Sequence, residues 1–209
     1  MKLWWEAHCL PFLIEKACRS SAIFEERKRW VPQAKGEVLE IGAGSGLNFA
    51  FYDAAKVTRV VGVEPSAPLL DKARARAASC PFPVDLVALA GERLPFDDGC
   101  FDSVVTTYTL CSVASPGAVL SEMRRVLRPG GKLVFIEHGA APDAAVRAWQ
   151  QRITPVWRHF AGNCHLDRDV RAELDRAHYE LEEVEADYAE GGTRLTSFTT
   201  AGIAVPNER

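Results

Sequence analysis

The chain has 209 residues, 47% of them hydrophobic, and its 25 basic and 28 acidic side chains leave a net charge of −3. That length suits one domain with a full core. So even a charge balance gives no bulk attraction to nucleic acid or anionic lipid, which argues against both as partners.

Residues 1–35 precede the first strand. Leu10, Ile14 and Ala17 recur at helical spacing, as do Ile23 and Phe24. Ser20-Ser21 breaks or caps between two helices. This stretch is expected to form a helical cap belonging to the same domain as residues 36–209, with Trp4, Trp5 and His8 near a pocket. The dense charge run Glu25-Glu26-Arg27-Lys28-Arg29 reads as a solvated helix face. Trp4, Trp5, Glu6 and His8 interrupt any signal-like apolar core, and no apolar stretch reaches membrane-spanning length. The expectation is a cytoplasmic protein without a stable membrane anchor.

Val38, Leu39 and Ile41 suit a buried parallel strand. Glu40 is expected at its lip, and Gly42, Gly44 and Gly46 follow in a tight turn that brings backbone against a ligand. A nicotinamide loop requires Gly-x-Gly-x-x-Gly. Here the third glycine is Gly46 and position 47 is Leu, so that spacing fails. An acid followed by Gly-x-Gly-x-Gly is instead similar to the loop of class I methyltransferases that use S-adenosylmethionine.

Leu47 to Ala55 is expected to open the first helix of the sheet domain. Arg59 to Glu64 is the second strand, and Glu64 ends it about twenty residues past the loop, where a carboxylate can accept both ribose hydroxyls. Pro65 is placed at the adenine edge. Leu69 to Ala78 is an alanine-rich outer helix and Val84 to Ala88 the third strand. Gly91-Glu92-Arg93-Leu94-Pro95-Phe96 follows it and is similar to the run with which many methyltransferases close the adenine pocket, a resemblance that makes Gly91 and Glu92 candidate contacts.

Phe101 to Thr106 is the fourth strand, and Thr107-Tyr108-Thr109-Leu110-Cys111-Ser112-Val113 leaves its end at the mouth of the site. Cys111 reads as a small buried hydrophobe rather than a nucleophile. Leu120 to Leu127 is a helix stopped by Arg128-Pro129-Gly130-Gly131, and Lys132 to Glu137 the fifth strand. Val146, Trp149, Ile153, Val156, Trp157 and Phe160 form an apolar face, expected to split at Thr154-Pro155 and to wall a substrate pocket. Val170 to Ala177 is a helix, Tyr179 to Tyr188 the sixth strand, and Thr196 to Val205 a seventh closing the sheet as an antiparallel edge hairpin. None of the six cysteines forms a Cys-x-x-Cys pair, so six free thiols and no metal site are expected.

Taken together, Glu40 to Gly46, Glu64, Leu94-Pro95-Phe96, Phe101-Asp102 and Arg125 to Gly131 resemble class I methyltransferases over nearly the whole chain after residue 36. The finer resemblance is to the methyltransferase-like "seven" subfamily and its bacterial relatives. Gly46-Leu47-Asn48, Thr109 to Val113, Glu137-His138, Trp149-Gln150, Pro155-Val156-Trp157 and Cys164 to Arg168 carry it. The resemblance implies an α/β, Rossmann-like, seven-stranded, mostly parallel sheet with an antiparallel last strand and helices on both faces. It also implies S-adenosylmethionine as cofactor, with Asn48 and Thr107 added to its contacts. The acceptor would be a small molecule, a thiol in the leading case. Where those relatives have Gly-Glu-Asp, this chain has Gly91-Glu92-Arg93.

A base is needed only for an acceptor that arrives protonated. His138, His165 and Tyr108 are the candidates, since histidine in general titrates near neutral pH. Trp149, Trp157 and Trp4 are the candidate substrate walls. A dinucleotide oxidoreductase and a cofactor-binding protein without turnover stay open as rival readings, as does an amine, phenol or lipid headgroup as acceptor.

Overall fold

The apolar runs pair into one sheet. The computed structural model describes residues 10–207, so Trp4, Trp5 and His8 lie outside the described residues. Seven strands, β1 (Gly36–Ile41), β2 (Val57–Val63), β3 (Val84–Val87), β4 (Phe101–Thr107), β5 (Leu127–His138), β6 (Tyr179–Tyr188) and β7 (Phe198–Pro206), stand in the order β3-β2-β1-β4-β5-β7-β6. The first five run parallel, and β7 is antiparallel to both neighbours. β6 and β7 thus close the sheet as the expected antiparallel edge hairpin, with β6 outermost and β7 between it and β5.

Among the described residues six helices flank the sheet: α1 (Leu10–Ala17), α2 (Ser21–Trp30), α3 (Ala67–Ala77), α4 (Pro116–Val126), α5 (Ala144–Trp157) and α6 (Val170–Arg176). The strand period of two splits each strand between two cores. Leu39, Ile41, Val104 and Phe135 pack with α4 and α6. Val38, Val60, Val105 and Ile136 pack with Trp30 of α2, Phe49 and Ala73 of α3. The fold is α/β and Rossmann-like, with helices on both faces. No described helix is long and apolar enough to cross a membrane.

Strand order reverses between β1 and β4, so their carboxyl ends splay apart and leave a crevice. Four local expectations fail, each for a tertiary reason. No α-helix follows the glycine loop; there is only a 3-10 turn at Phe49–Phe51. Asn48, Phe49 and Tyr52 are each turned into the interior there, with Asn48 and Tyr52 both donating to the buried Glu40 carboxylate. Arg128 to Gly131 does not merely stop α4 but bulges within β5, whose register jumps from Leu127 to Lys132 opposite β4. Pro155 does not split α5, because it stands in the last turn, with Thr154 Oγ1 bonded back to the Gln150 carbonyl at 2.7 Å. Arg27, read as solvated, is 4% exposed and points into the core.

Candidate active site

The glycine loop hangs from the end of β2. Gly42 and Ala43 both donate to the Val63 carbonyl, at 2.9 and 3.1 Å. Gly42 has φ +71°, and a Cβ there would overlap the Thr109 hydroxyl, so only glycine lets the loop close on β4. Gly44 has φ +56° and an open flank, the nearest atom to an added Cβ being 3.9 Å away. That flank faces the cavity. Gly46 instead packs against the Phe49 ring and does not line it.

Glu64 follows β2 and is 8% exposed. Its carboxylate accepts from the Gly44 amide at 3.1 Å and the Ser66 amide at 2.8 Å, which orients it and leaves acceptor capacity for the cavity. Burial pushes this carboxyl up, against the pull of the two amides. Pro65, Gly91, Glu92 and Thr107 also line the cavity, whose volume is about 560 Å³.

Below the loop lies a polar network. Glu40 accepts from the Tyr52 hydroxyl at 2.7 Å and from Asn48 Nδ2 at 3.0 Å. Arg27 donates to Asn48 Oδ1 and, at 3.2 Å, to Thr107 Oγ1. Asn48 Nδ2 also reaches Thr107 at 3.1 Å. Burial pushes the Glu40 carboxyl up to about 7, opposed by Tyr52, Arg27 and Asn48. Glu40 and Asn48 were expected to touch the ligand, and neither lines the cavity. Strand alternation is the reason: Glu40 shares the face of Val38, toward α2, and is 1% exposed. These two residues brace the site from behind. Arg27 does line the cavity, and its buried Nε has no partner. A signal was present in the sequence, since Phe24, Arg27 and Trp30 fall three apart on one helix face.

At the far end, Tyr108 and His138 both line the cavity, their ring centroids 4.5 Å apart. Tyr108 has φ +53°, a left-handed turn that carries the chain off β4. Burial raises its hydroxyl well above the ordinary tyrosine value. Trp157 and Cys164 complete this end. His165 is not in the lining, and its amide donates to the Cys111 carbonyl at 2.8 Å. Desolvation, then Arg168, hold that imidazole below its usual value. Trp149 is 54% exposed and stacks under Arg152, so it walls nothing. The face of α5 that packs inward is polar. Gln150 accepts from the Ala141 amide and donates to the Gly139 and Leu195 carbonyls, while Trp149 and Val156 of the apolar stripe stay outside.

The loop after β4 is latched by Glu137, a fully buried carboxylate. It accepts from the amides of Thr109, Leu110 and Cys111 at 3.0, 2.9 and 3.2 Å, and from Thr106 Oγ1 at 3.1 Å. Burial still raises its carboxyl. This latch sets Cys111 against Cys164, Sγ to Sγ 3.7 Å. The two thiols share a hydrogen bond that pushes Cys111 up and Cys164 down. Neither Glu137 nor this pair was singled out as a site from the sequence.

The family described as "Methyltransferase domain" matches residues 39–135. Together with the relatives below, this places a crevice of this construction in one class. The chain belongs to the class I S-adenosylmethionine-dependent methyltransferases, and it is an enzyme that methylates a small molecule. Thiol S-methyltransferase TMT1B of Homo sapiens is 35% identical over 192 residues, 84% of this chain and 78% of that protein. Thiol S-methyltransferase TMT1A of Homo sapiens is 34% identical over 188 residues, 85% and 76% of the two chains. A S-adenosylmethionine-dependent methyltransferase structure from Methanosarcina mazei shares the fold with TM-score 0.63 at 21% identity, covering 83% of this chain and 93% of that one.

S-adenosylmethionine fits the residues present. The open flank of Gly44 is a cradle that a side chain would fill, and the orphaned Arg27 Nε is a donor suited to a carboxylate. The cavity volume lies within the roughly 300–1,000 Å³ of small-molecule sites.

Proposed function

We propose that the enzyme methylates a small, largely apolar thiol. The observation that carries this reading is the make-up of the far end of the cavity, where Tyr108, His138, Trp157 and Cys164 surround one apolar space. The relatives named as thiol S-methyltransferases support it. In this reading Glu64 holds the ribose hydroxyls, Pro65, Gly91 and Glu92 flank the adenine, and Gly42, Gly44 and Arg27 hold the amino-acid end. When bound, the cofactor supplies an electrophilic methyl group on a sulfonium sulfur.

The protein's part is to position and to dry the acceptor. Trp157 and Phe160 add apolar surface to that end, and among the described residues Arg27, 6.0 Å from the Tyr108 ring, is the one arginine in the lining. His138 is the group placed to take the thiol proton, with Tyr108 against its ring. α1 and α2 act as a cap. Leu13, Glu15 and Cys18 line the cavity, and Glu15 is bound by Lys72 and by Arg76, the latter at 2.7 Å. The five described cysteines are free, as suits a reducing compartment such as the cytoplasm.

The test is a panel of alkyl thiols, sulfide, amines and phenols, read by S-adenosylhomocysteine release. Thiols are expected to give product. Product from an amine or phenol with none from thiols would overturn the acceptor assignment and leave the enzyme class intact.

A further inference from the structure

Three groups far apart in the chain converge at the acceptor end. The donor atoms of Cys111, His138 and Cys164 all lie within 4.8 Å of one another. Cys111 Sγ and Cys164 Sγ are 3.7 Å apart, and Cys164 Sγ is 4.0 Å from His138 Nδ1. A tetrahedral zinc ion with Zn–S of about 2.3 Å and Zn–N of about 2.0–2.1 Å implies S···S edges of about 3.8 Å and S···N edges of about 3.6 Å. Two edges thus match such a site to within about 0.4 Å, and the third, Cys111 to His138, is no longer than 4.8 Å. Two buried thiols in contact need no imidazole turned toward them, so ordinary packing accounts for only part of this arrangement.

We propose that Cys111, His138 and Cys164 bind one Zn²⁺, with the fourth position open to the cavity and taken by the sulfur of the acceptor thiol. This rests on the thiol reading above and deepens it. His138 is then a ligand, and acidifying the thiol is the work of the metal. Both cysteines lose their protons on loading, and two thiolates neutralise the ion, so no net charge is buried. On acceptor binding the S–H bond breaks, a Zn–S bond forms, and the proton leaves to solvent with the displaced water.

The scaffold holds the ligands in place without help from the thiols. Glu137 fixes the amides around Cys111. The Asn163 side chain donates to the Ser112 carbonyl at 2.7 Å, and the His165 amide to the Cys111 carbonyl at 2.8 Å, so the segments bearing Cys111 and Cys164 are tied directly together. His138 ends β5, held opposite Thr199 of β7. Such outer contacts are what orient metal ligands. Cys164 and His138 also line the cavity, which places the open corner toward the substrate.

The experiment uses the full chain, reduced and freed of metal, then incubated with Co²⁺ or Zn²⁺. One metal per chain is expected, with tetrahedral cobalt bands in the visible and a thiolate charge-transfer band in the near ultraviolet. Cys111→Ser and Cys164→Ser should abolish both bands, and Cys80→Ser should keep them. An alkyl thiol should shift the visible bands, and a phenol should not. S-adenosylhomocysteine binding on the same samples reports folding. Should the serine variants fail to fold, protection of Cys111 and Cys164 from alkylation by Zn²⁺ in the native chain decides instead. Substoichiometric metal without thiol protection, or bands that survive Cys111→Ser, would overturn the site. If no metal binds but thiols are methylated, this inference alone fails. If metal binds but only amines or phenols are methylated, the thiol reading fails, and the open corner loses its ligand.

Discussion

Replacing Arg27 with methionine tests the network under the glycine loop. The guanidinium is buried and donates to Asn48 and Thr107, and Asn48 in turn donates to Glu40. Two hydrogen bonds from a charged donor, at about 1.5 kcal/mol each, put the loss at about 3 kcal/mol. For a chain of this size that lowers Tm by about 6–12 °C. The loss should also grow with pH. Arg27 pulls the Glu40 carboxyl down against burial, which pushes it up to about 7. Without Arg27 the folded chain holds that proton to still higher pH, so stability keeps falling as pH rises past neutrality. Below pH 6 Glu40 is neutral in both proteins, and the penalty shrinks to the lost bonds. Urea denaturation of wild type, Arg27→Met, Glu40→Gln and the double variant, each at pH 6 and pH 8, gives the full cycle. Glu40→Gln should recover part of the Arg27→Met loss at pH 8, because no buried charge is then left without its partner. A penalty equal at both pH values, or no recovery in the double variant, would refute the reasoning.

The other predictions concern the cradle and its pH response. Glu64→Ala should weaken S-adenosylhomocysteine binding by about 10- to 100-fold, from about 1.5–3 kcal/mol for a charged hydrogen bond lost; calorimetry showing wild-type affinity would move the ribose contact elsewhere. Glu40→Gln alone should flatten stability against pH. In the wild type the folded carboxyl, raised from 4.5 to about 7, keeps a proton that the unfolded chain gives up, so about 3 kcal/mol is lost as pH climbs through that window. The same slope in both proteins would assign it to another group. Gly42→Ala should cost at least about 1–2 kcal/mol from its left-handed backbone, before the overlap with Thr109 is counted. A melting curve unchanged from wild type would mean that the loop can shift.

How much was legible follows from which forces are local. Val38-Leu39 and Val60-Val61 read as strands because parallel strands covered on both faces must be apolar throughout. Gly42 and Gly44 read as a ligand loop because positive φ is a property of the residue itself. The place of Glu64 in the cavity lining was legible from its distance along the chain from that loop, which β2 holds constant. These features, and with them the methyltransferase class, were determined by the sequence alone.

Only the tertiary structure decided the direction in which each side chain points. Arg27 sits in a run of charges; its spacing with Phe24 and Trp30 marks a shared helix face, but nothing local tells that this face meets Asn48. Glu40 stands in the expected loop motif, yet strand alternation turns it to the brace behind the cavity. His138 and His165 looked equivalent in sequence; β5 brings one to the wall, and the turn before α6 carries the other away. Trp149 lies outside because Gln150, one residue on, has the backbone groups of Gly139, Ala141 and Leu195 to satisfy. Cys111 and Cys164 are 53 residues apart with no motif between them. Their contact depends on the Glu137 latch and on the Asn163 bridge, which exist only once the sheet has brought the ends of β4 and β5 side by side.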